Sequence, residues 1–145
     1  MDLKIKKVKD NAIIPVRATD GSAGMDLHAC ITKPVTINAG QRVTIPTGIA
    51  VELPDNQYGI FIYARSGLGI KHGIALSNGV GVIDSDYRGE LCVGLQNSSN
   101  TSYTVQPDDR IAQMVVMPVC IPNVVVTEKL DETARNTGGF GSTGK

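Results

Sequence analysis

The sequence contains no tryptophan, and its aromatic residues are four Tyr and two Phe among 145 positions. A stacking platform for single-stranded nucleic acid is therefore poorly supplied. There is no excess of either charge, since Lys and Arg total 14 and Asp and Glu total 14. A protein that binds by blanketing phosphates is normally basic, so direct nucleic-acid binding is not expected. No apolar run approaches the ~20 residues of a membrane-spanning helix, and no membrane partner is expected. The opening MDLKIKKVKD has no apolar segment of the kind that marks a secretory signal, which predicts a cytoplasmic location. Cysteine is sparse. Cys30, Cys92 and Cys120 are odd in number and widely spaced, which excludes a disulfide framework, and no CxxC or Cys/His cluster has zinc spacing. Three reduced thiols in or near a core are expected. His28 and His72 are isolated and offer no His-ligated metal site.

What is present points to one β-rich domain. Hydrophobic residues make up 41% and charged residues 19%, so the chain is not globally disordered. Val, Ile and Thr dominate over Leu, and β-branched side chains suit pleated sheets better than helices. Apolar and polar residues alternate at Val35–Ile37, Val43–Ile45, Ile49–Leu53, Ile60–Ile62, Leu91–Leu95 and Tyr103–Val105. This period of two marks half-buried strands. Turn chemistry falls between the runs, at Asn38-Ala39-Gly40, Pro54-Asp55-Asn56, Ser98-Ser99-Asn100 and Pro107-Asp108-Asp109. The pattern predicts an all-β sandwich, jelly roll or barrel. One short helical turn is expected from Ser66, where Gly67 and Gly69 forbid a long helix. From about Thr133 the text TARNTGGFGSTGK cannot build a core, which divides the chain into a β-rich core over 1–132 and a glycine-rich arm over 133–145. The arm is either a frayed end or a lid that orders over a ligand.

Five segments concentrate Gly, Asp, Arg and Ser. They are AGMDL (23–27), ARSGLG (64–69), NGVGVIDSDYRGE (78–90), PDDRIAQ (107–113) and RNTGGFGSTG (135–144). Asp84 and Asp86 could be turn residues, and Arg65 could be a surface ion pair. Together the segments describe a polyphosphate site. Arginines and backbone amides of glycine-rich loops hold phosphate oxygens. A carboxylate can orient water or hold hydrated Mg²⁺, and an aromatic ring can cover a base. Two lookalikes are set aside. Gly139 to Lys145 spells GxxxxGK, but no Ser/Thr or helix follows as a P-loop requires. The sequons at Asn97 and Asn100 are expected only to mark a polar turn.

In this order and spacing, from about Asp20 to Gly144, the five segments resemble those of the homotrimeric dUTPase family. The resemblance implies a jelly-roll-like subunit and a homotrimer whose three active sites are shared between subunits. It also implies Mg²⁺-dependent hydrolysis of dUTP to dUMP and pyrophosphate, which limits uracil in DNA and supplies dUMP for dTTP synthesis. By matching position, Asp84 corresponds to the carboxylate that activates the water attacking the α-phosphorus. Arg65, Ser66 and Gly67 match a phosphate-contacting turn, and Gln113 a phosphate or water contact. The stretch from Asn78 to Cys92, including Gly81, Val82 and Ile83, matches a hairpin that reads uracil through backbone groups. Tyr87 matches the ring lying against deoxyribose, excluding a 2′-hydroxyl. Asp26 matches an acid near the metal through water, with a structural role as the alternative. The arm supplies Arg135 for the γ-phosphate, Phe140 for stacking on uracil, and Gly141, Ser142 and Thr143 for close phosphate contacts. Ala64 and Asn136-Thr137 depart from the commonest family text, which touches arm closure more than chemistry. Two further readings stand beside this one: a dCTP deaminase relative on the same fold, and a non-catalytic binding module.

Overall fold

The computed structural model describes residues 1–139. The alternating runs become strands. These are β3 (Val35–Ile37), β4 (Arg42–Pro46), β5 (Ile49–Glu52), β6 (Tyr58–Tyr63), β9 (Cys92–Asn97) and β10 (Tyr103–Val105). Strands β1 (Lys4–Lys7), β2 (Met25–His28), β7 (Ile74–Leu76), β8 (Gly81–Ile83) and β11 (Arg110–Pro118) lie outside those runs of alternation. The longest of them, β11, hides it for a physical reason. It runs between β2 and β6 in the order β2-β11-β6-β8, so both its edges are paired. Ile111, Ala112 and Met114 are buried and Val115 to Met117 half-buried, so both faces are apolar.

A second sheet has the order β4-β9-β7, and β1-β5 and β10-β3 form two-stranded ribbons. Every pairing is antiparallel. One continuous core joins the sheets, with Leu27, Ile60 and Met114 from the first, Ile45, Ile74, Val93 and Leu95 from the second, and Ile37, Ile49 and Val105 from the ribbons. Burial of each large aliphatic side chain stabilises the fold by about 1.5–3 kcal/mol before chain entropy is counted. The buried Asn97 is the polar pin of this core. Its Nδ2 donates to the Ile37 and Thr101 carbonyls at 2.8 and 2.7 Å, and its Oδ1 accepts from Ser99. The Asn97 sequon therefore marks a buried turn anchor.

The one helix among the described residues, α1 (Ser66–His72), is a two-turn element between β6 and β7. It stops at Gly73, whose φ of 66° is left-handed and whose N–H returns to the Gly69 carbonyl. A Cβ there would also stand 2.9 Å from the Ser99 side chain.

The cysteine expectation needs correction. Cys30 is in the core, but Cys92 and Cys120 are exposed. Cys92 opens β9 on the outward phase of its pleat, and Cys120 follows the last strand. After β11, the Val119 N–H bonds to the Gln57 carbonyl at 2.8 Å, and residues 120–139 contain no strand. Val124, Val125 and Val126 are 90%, 81% and 94% exposed, so the chain leaves the core before the division drawn at 132/133. No described helix is long and apolar enough to cross a membrane.

Candidate active site

The first, second and fourth segments meet at one end of the four-stranded sheet. Asp26 on β2 lies opposite Gln113 on β11, and Gln113 lies opposite Tyr63 at the end of β6. This register brings Arg65, two residues past β6, to the Asp26 carboxylate. Arg65 Nε donates to Asp26 Oδ1 at 2.9 Å, and Arg110 Nη1 donates to Oδ2 at 3.2 Å. Arg65 Nη1 also donates to the Arg110 carbonyl at 3.2 Å, which ties the two arginines together. Gln113 Nε2 donates to the Ala64 carbonyl at 3.1 Å, fixing the residue before Arg65. Gly24 leaves space for that amide, since a Cβ there would stand 2.9 Å from Gln113 Oε1.

Arg110 was given no role in the sequence reading. It lies within PDDRIAQ, and the only available signal was a second arginine in need of a carboxylate. A register shift between Arg110 and Ala112 marks a β-bulge beside it, a device that re-aims a side chain. His28, opposite Arg110, has a buried Nδ1 with no hydrogen-bond partner among the described atoms. Burial is the largest influence on its pKa, which is lowered. Asp26 and Asp108 oppose that shift, and Arg110 and Arg65 add to it.

Next to this cluster, Leu68 and Gly69 N–H groups begin the α1 ladder at the Arg65 carbonyl. The Ser66 and Gly67 N–H groups precede that ladder and are available to a ligand. Both residues are exposed, and a Cβ at Gly67 would meet nothing within 4 Å. Packing leaves that space open.

The third segment forms a hairpin on the other side of β6. Strand β8 pairs with β6 through Ile60↔Ile83 and Ile62↔Gly81. Ile62, Asn78, Gly81, Val82, Ile83 and Cys92 share a cleft of about 90 Å³ with Leu76, Val93 and Gly94. Burial pushes the Cys92 thiol pKa up, and Glu90 adds to the shift. Asp84 follows Ile83 and is exposed. The Tyr87 N–H returns to the Asp84 carbonyl at 3.2 Å, so one turn presents both side chains. Arg88 Nη1 closes the turn from outside, donating to the Ser85 and Tyr87 carbonyls at 2.7 and 3.0 Å.

The two groups of residues do not meet within one chain. Ile83 faces Ile60 near the start of β6, and Asp84 lies beyond it, whereas Arg65 follows the other end of β6. At ~3.4 Å per residue, β6 holds them on the order of 20 Å apart. Arg135 is far along the strandless segment, where its Nε donates to the Gly138 carbonyl at 2.8 Å. Phe140, Gly141, Ser142 and Thr143, and the GxxxxGK lookalike, lie outside the described residues.

Among the described residues no three His, Cys, Asp or Glu side chains are grouped to hold a metal ion. Both Asp26 oxygens face guanidinium groups, and Asp84 is exposed. This donor set fits Mg²⁺ in the form in which phosphates and water supply most of its ligands and a carboxylate completes them.

The fold and the site thus define an all-β protein whose arginines and open amides suit a polyphosphate, and comparison with known proteins narrows the class. The dUTPase family model matches residues 10–144. A deoxyuridine 5′-triphosphate nucleotidohydrolase of Desulfitobacterium hafniense is 54% identical over 131 residues, covering 90% of this chain and 87% of that protein. One of Paraburkholderia phymatum is 46% identical over 145 residues, covering 100% and 98%. Among solved structures, Staphylococcus bacteriophage 80alpha dUTPase with dUPNHPP superposes with a TM-score of 0.90 at 25% identity, covering 99% of each chain. A variant dUTPase from phage phi11 of S. aureus, described with a structural Mg(II) ion, has a TM-score of 0.82 at 22% identity, covering 91% of this chain and 100% of that one. The chain belongs to the dUTPase family, has its jelly-roll fold, and is an enzyme of the dUTP diphosphatase type.

Proposed function

We propose that the protein hydrolyses dUTP to dUMP and pyrophosphate at sites built between copies of the chain in a homotrimer. One subunit offers the Arg65 cluster and the Ser66 and Gly67 amides to the phosphates, and another offers the 78–92 hairpin to uracil and deoxyribose. The observation that carries this reading is the separation of Asp84 from Arg65 along β6. Two sets of residues suited to one substrate stand at opposite ends of one strand, and a neighbouring copy can bring complementary ends together.

At such a site Asp84 takes a proton from water as the water oxygen bonds to the α-phosphorus. The bond from that phosphorus to the α,β-bridging oxygen breaks in line, and pyrophosphate leaves. Arg65 and the Ser66 and Gly67 N–H groups hold the oxygens on which charge grows as that bond opens. Gln113 holds the Ala64 carbonyl and thereby the approach of Arg65. Asp26 would hold Mg²⁺ through water beside the substrate phosphates, and the ion would neutralise part of the triphosphate charge. Asn78, Gly81, Val82, Ile83 and Cys92 wall the base cleft, which leaves little room for a 5-methyl group. Cytosine presents an amine where uracil has a carbonyl, and is rejected by unpaired polar groups. Tyr87 lies against the sugar. Arg135, Phe140, Gly141, Ser142 and Thr143 belong to the arm over 133–145 that covers the γ-phosphate and base. This activity suits the cytoplasm, where it limits uracil in DNA and supplies dUMP.

Complementation tests the shared site. Asp84→Asn and Arg65→Ala chains, each inactive alone, are unfolded together, refolded as a mixture and assayed for pyrophosphate release with Mg²⁺. Random mixing restores about one quarter of the shared sites. No recovery in a mixture shown to contain mixed trimers overturns the shared site. Parallel assays with dUTP, dTTP, dCTP and UTP test the base and sugar readings, and release from all four would overturn them.

A further inference from the structure

Gly89 is two residues past Tyr87, and nothing in its own backbone calls for glycine. It is absent from the positive-φ glycines, which are Gly40, Gly48, Gly73 and Gly79. Alanine is conformationally acceptable at such a position, and a glycine there costs chain entropy. The space beside its Cα is filled instead by the Tyr87 ring. A Cβ at position 89 would overlap Tyr87 Oη and stand 2.5 Å from Cζ and 3.0 Å from Cε2.

The ring is held in that position from its far end. Tyr87 Oη donates to the Glu90 carbonyl at 3.2 Å. Glu90 is anchored in turn, since its Oε1 accepts the Gly48 N–H at 2.8 Å and lies 3.1 Å from Lys9 Nζ. At its near end, the Tyr87 backbone is fixed by the turn that begins at Asp84. Tyr87 is nonetheless 44% exposed, so burial alone does not fix it. Its position is set by a hydrogen bond to a fixed carbonyl and by the missing side chain at Gly89.

We infer that Gly89 is a positioning residue for sugar selectivity: by lacking a Cβ it lets the Tyr87 ring lie down onto the hairpin, where the ring discriminates deoxyribose from ribose. The inference rests on the proposed sugar-facing role of Tyr87. Gly89→Ala would push the ring off the hairpin and break its bond to Glu90, while the backbone of the turn stays in place.

The test compares kcat and KM for dUTP and UTP in the intact protein, Gly89→Ala, Tyr87→Ala and the double variant. Gly89→Ala and Tyr87→Ala each should lower the dUTP-over-UTP preference in kcat/KM by about tenfold. Gly89→Ala should change nothing further in the Tyr87→Ala background, because the ring it displaces is gone. Equal losses from Gly89→Ala in both backgrounds would show a backbone role and overturn the inference. Unchanged preference in Gly89→Ala with a loss in Tyr87→Ala would also overturn it, leaving the role of Tyr87 intact. Unchanged preference in Tyr87→Ala would remove the sugar role itself, and with it the inference. If Gly89→Ala alone fails to fold, a folded double variant locates the conflict at the ring and supports the inference. An unfolded double variant overturns it.

Discussion

At one end of β6 each oxygen of Asp26 accepts from a different arginine, and the Asp26 and Arg65 side chains are only 22% and 25% exposed. At the other end Asp84 is exposed at the head of a turn whose ties are backbone bonds and the Arg88 side chain. The first region is ordered by charge pairing before any substrate arrives. Its guanidinium groups are aimed by a carboxylate, so in the proposed reaction little reorganisation would remain as phosphate charge develops. In the proposed reaction the second region supplies the proton acceptor, Asp84, on an exposed side chain. Substitution in the hairpin should therefore act on chemistry with little effect on stability, and substitution in the cluster should affect both.

The largest expected effect is at the open end. Asp84→Asn should lower kcat by about a thousandfold. The unfolding midpoint should stay close to that of the parent, because the side chain is exposed in the chain. Calorimetry beside steady-state kinetics checks both, and a loss below tenfold would remove the proton-accepting role. Next is Asp26→Asn at the paired end. Freed from their partner, Arg65 and Arg110 repel each other and lose aim, and kcat/KM should fall by about a hundredfold. Stability should fall by about 1 kcal/mol, a value kept small by solvent screening of groups that remain partly exposed. If denaturant melts show a stability loss with unchanged kcat/KM, the cluster is structural only.

Arg110→Ala should be milder, since Arg65 keeps its own bond to Oδ1. A threefold to tenfold fall in kcat/KM is expected, roughly the worth of one exposed ion pair. The Arg65 cluster would be shown to act as separate charges if Arg110→Ala and Asp26→Asn effects simply added in the double variant. The smallest effect concerns His28. Its pKa is lowered in the folded chain, chiefly by burial, so the unfolded chain binds the proton more readily. Its contribution to stability is then full above the unfolded value near 6.5 and is lost as pH falls through the folded one. Melting curves from pH 7.5 to 5 should show this loss, and His28→Gln should reduce the slope. An unchanged slope would assign the acid sensitivity to other groups.

Much of the molecule was legible in order of chain. Alternation at 35–37, 43–45, 60–62 and 103–105 announced strands because one face of each meets the core. Strand β11 was hidden because both its faces and both its edges are covered, which erases the period of two. The five segments were visible as clusters of residue types. What each side chain touches was not, as Arg110 shows: its partner, Asp26, is 84 residues away. Gly89 carries no sign of its neighbour in the sequence either. The folded hairpin puts a tyrosine ring in the space beside its Cα.

The sequence by itself determined the β-rich class and the short helix at Ser66, and it nominated the residues proposed to handle a triphosphate, because local propensity and residue chemistry are local properties. The tertiary structure decided which of those residues meet. Antiparallel register set Asp26, Arg65, Arg110 and Gln113 side by side across three strands. The same strand β6 held Asp84 away from them, because β8 runs antiparallel beside it and Asp84 follows Ile83 past Ile60, toward the end of β6 opposite Arg65.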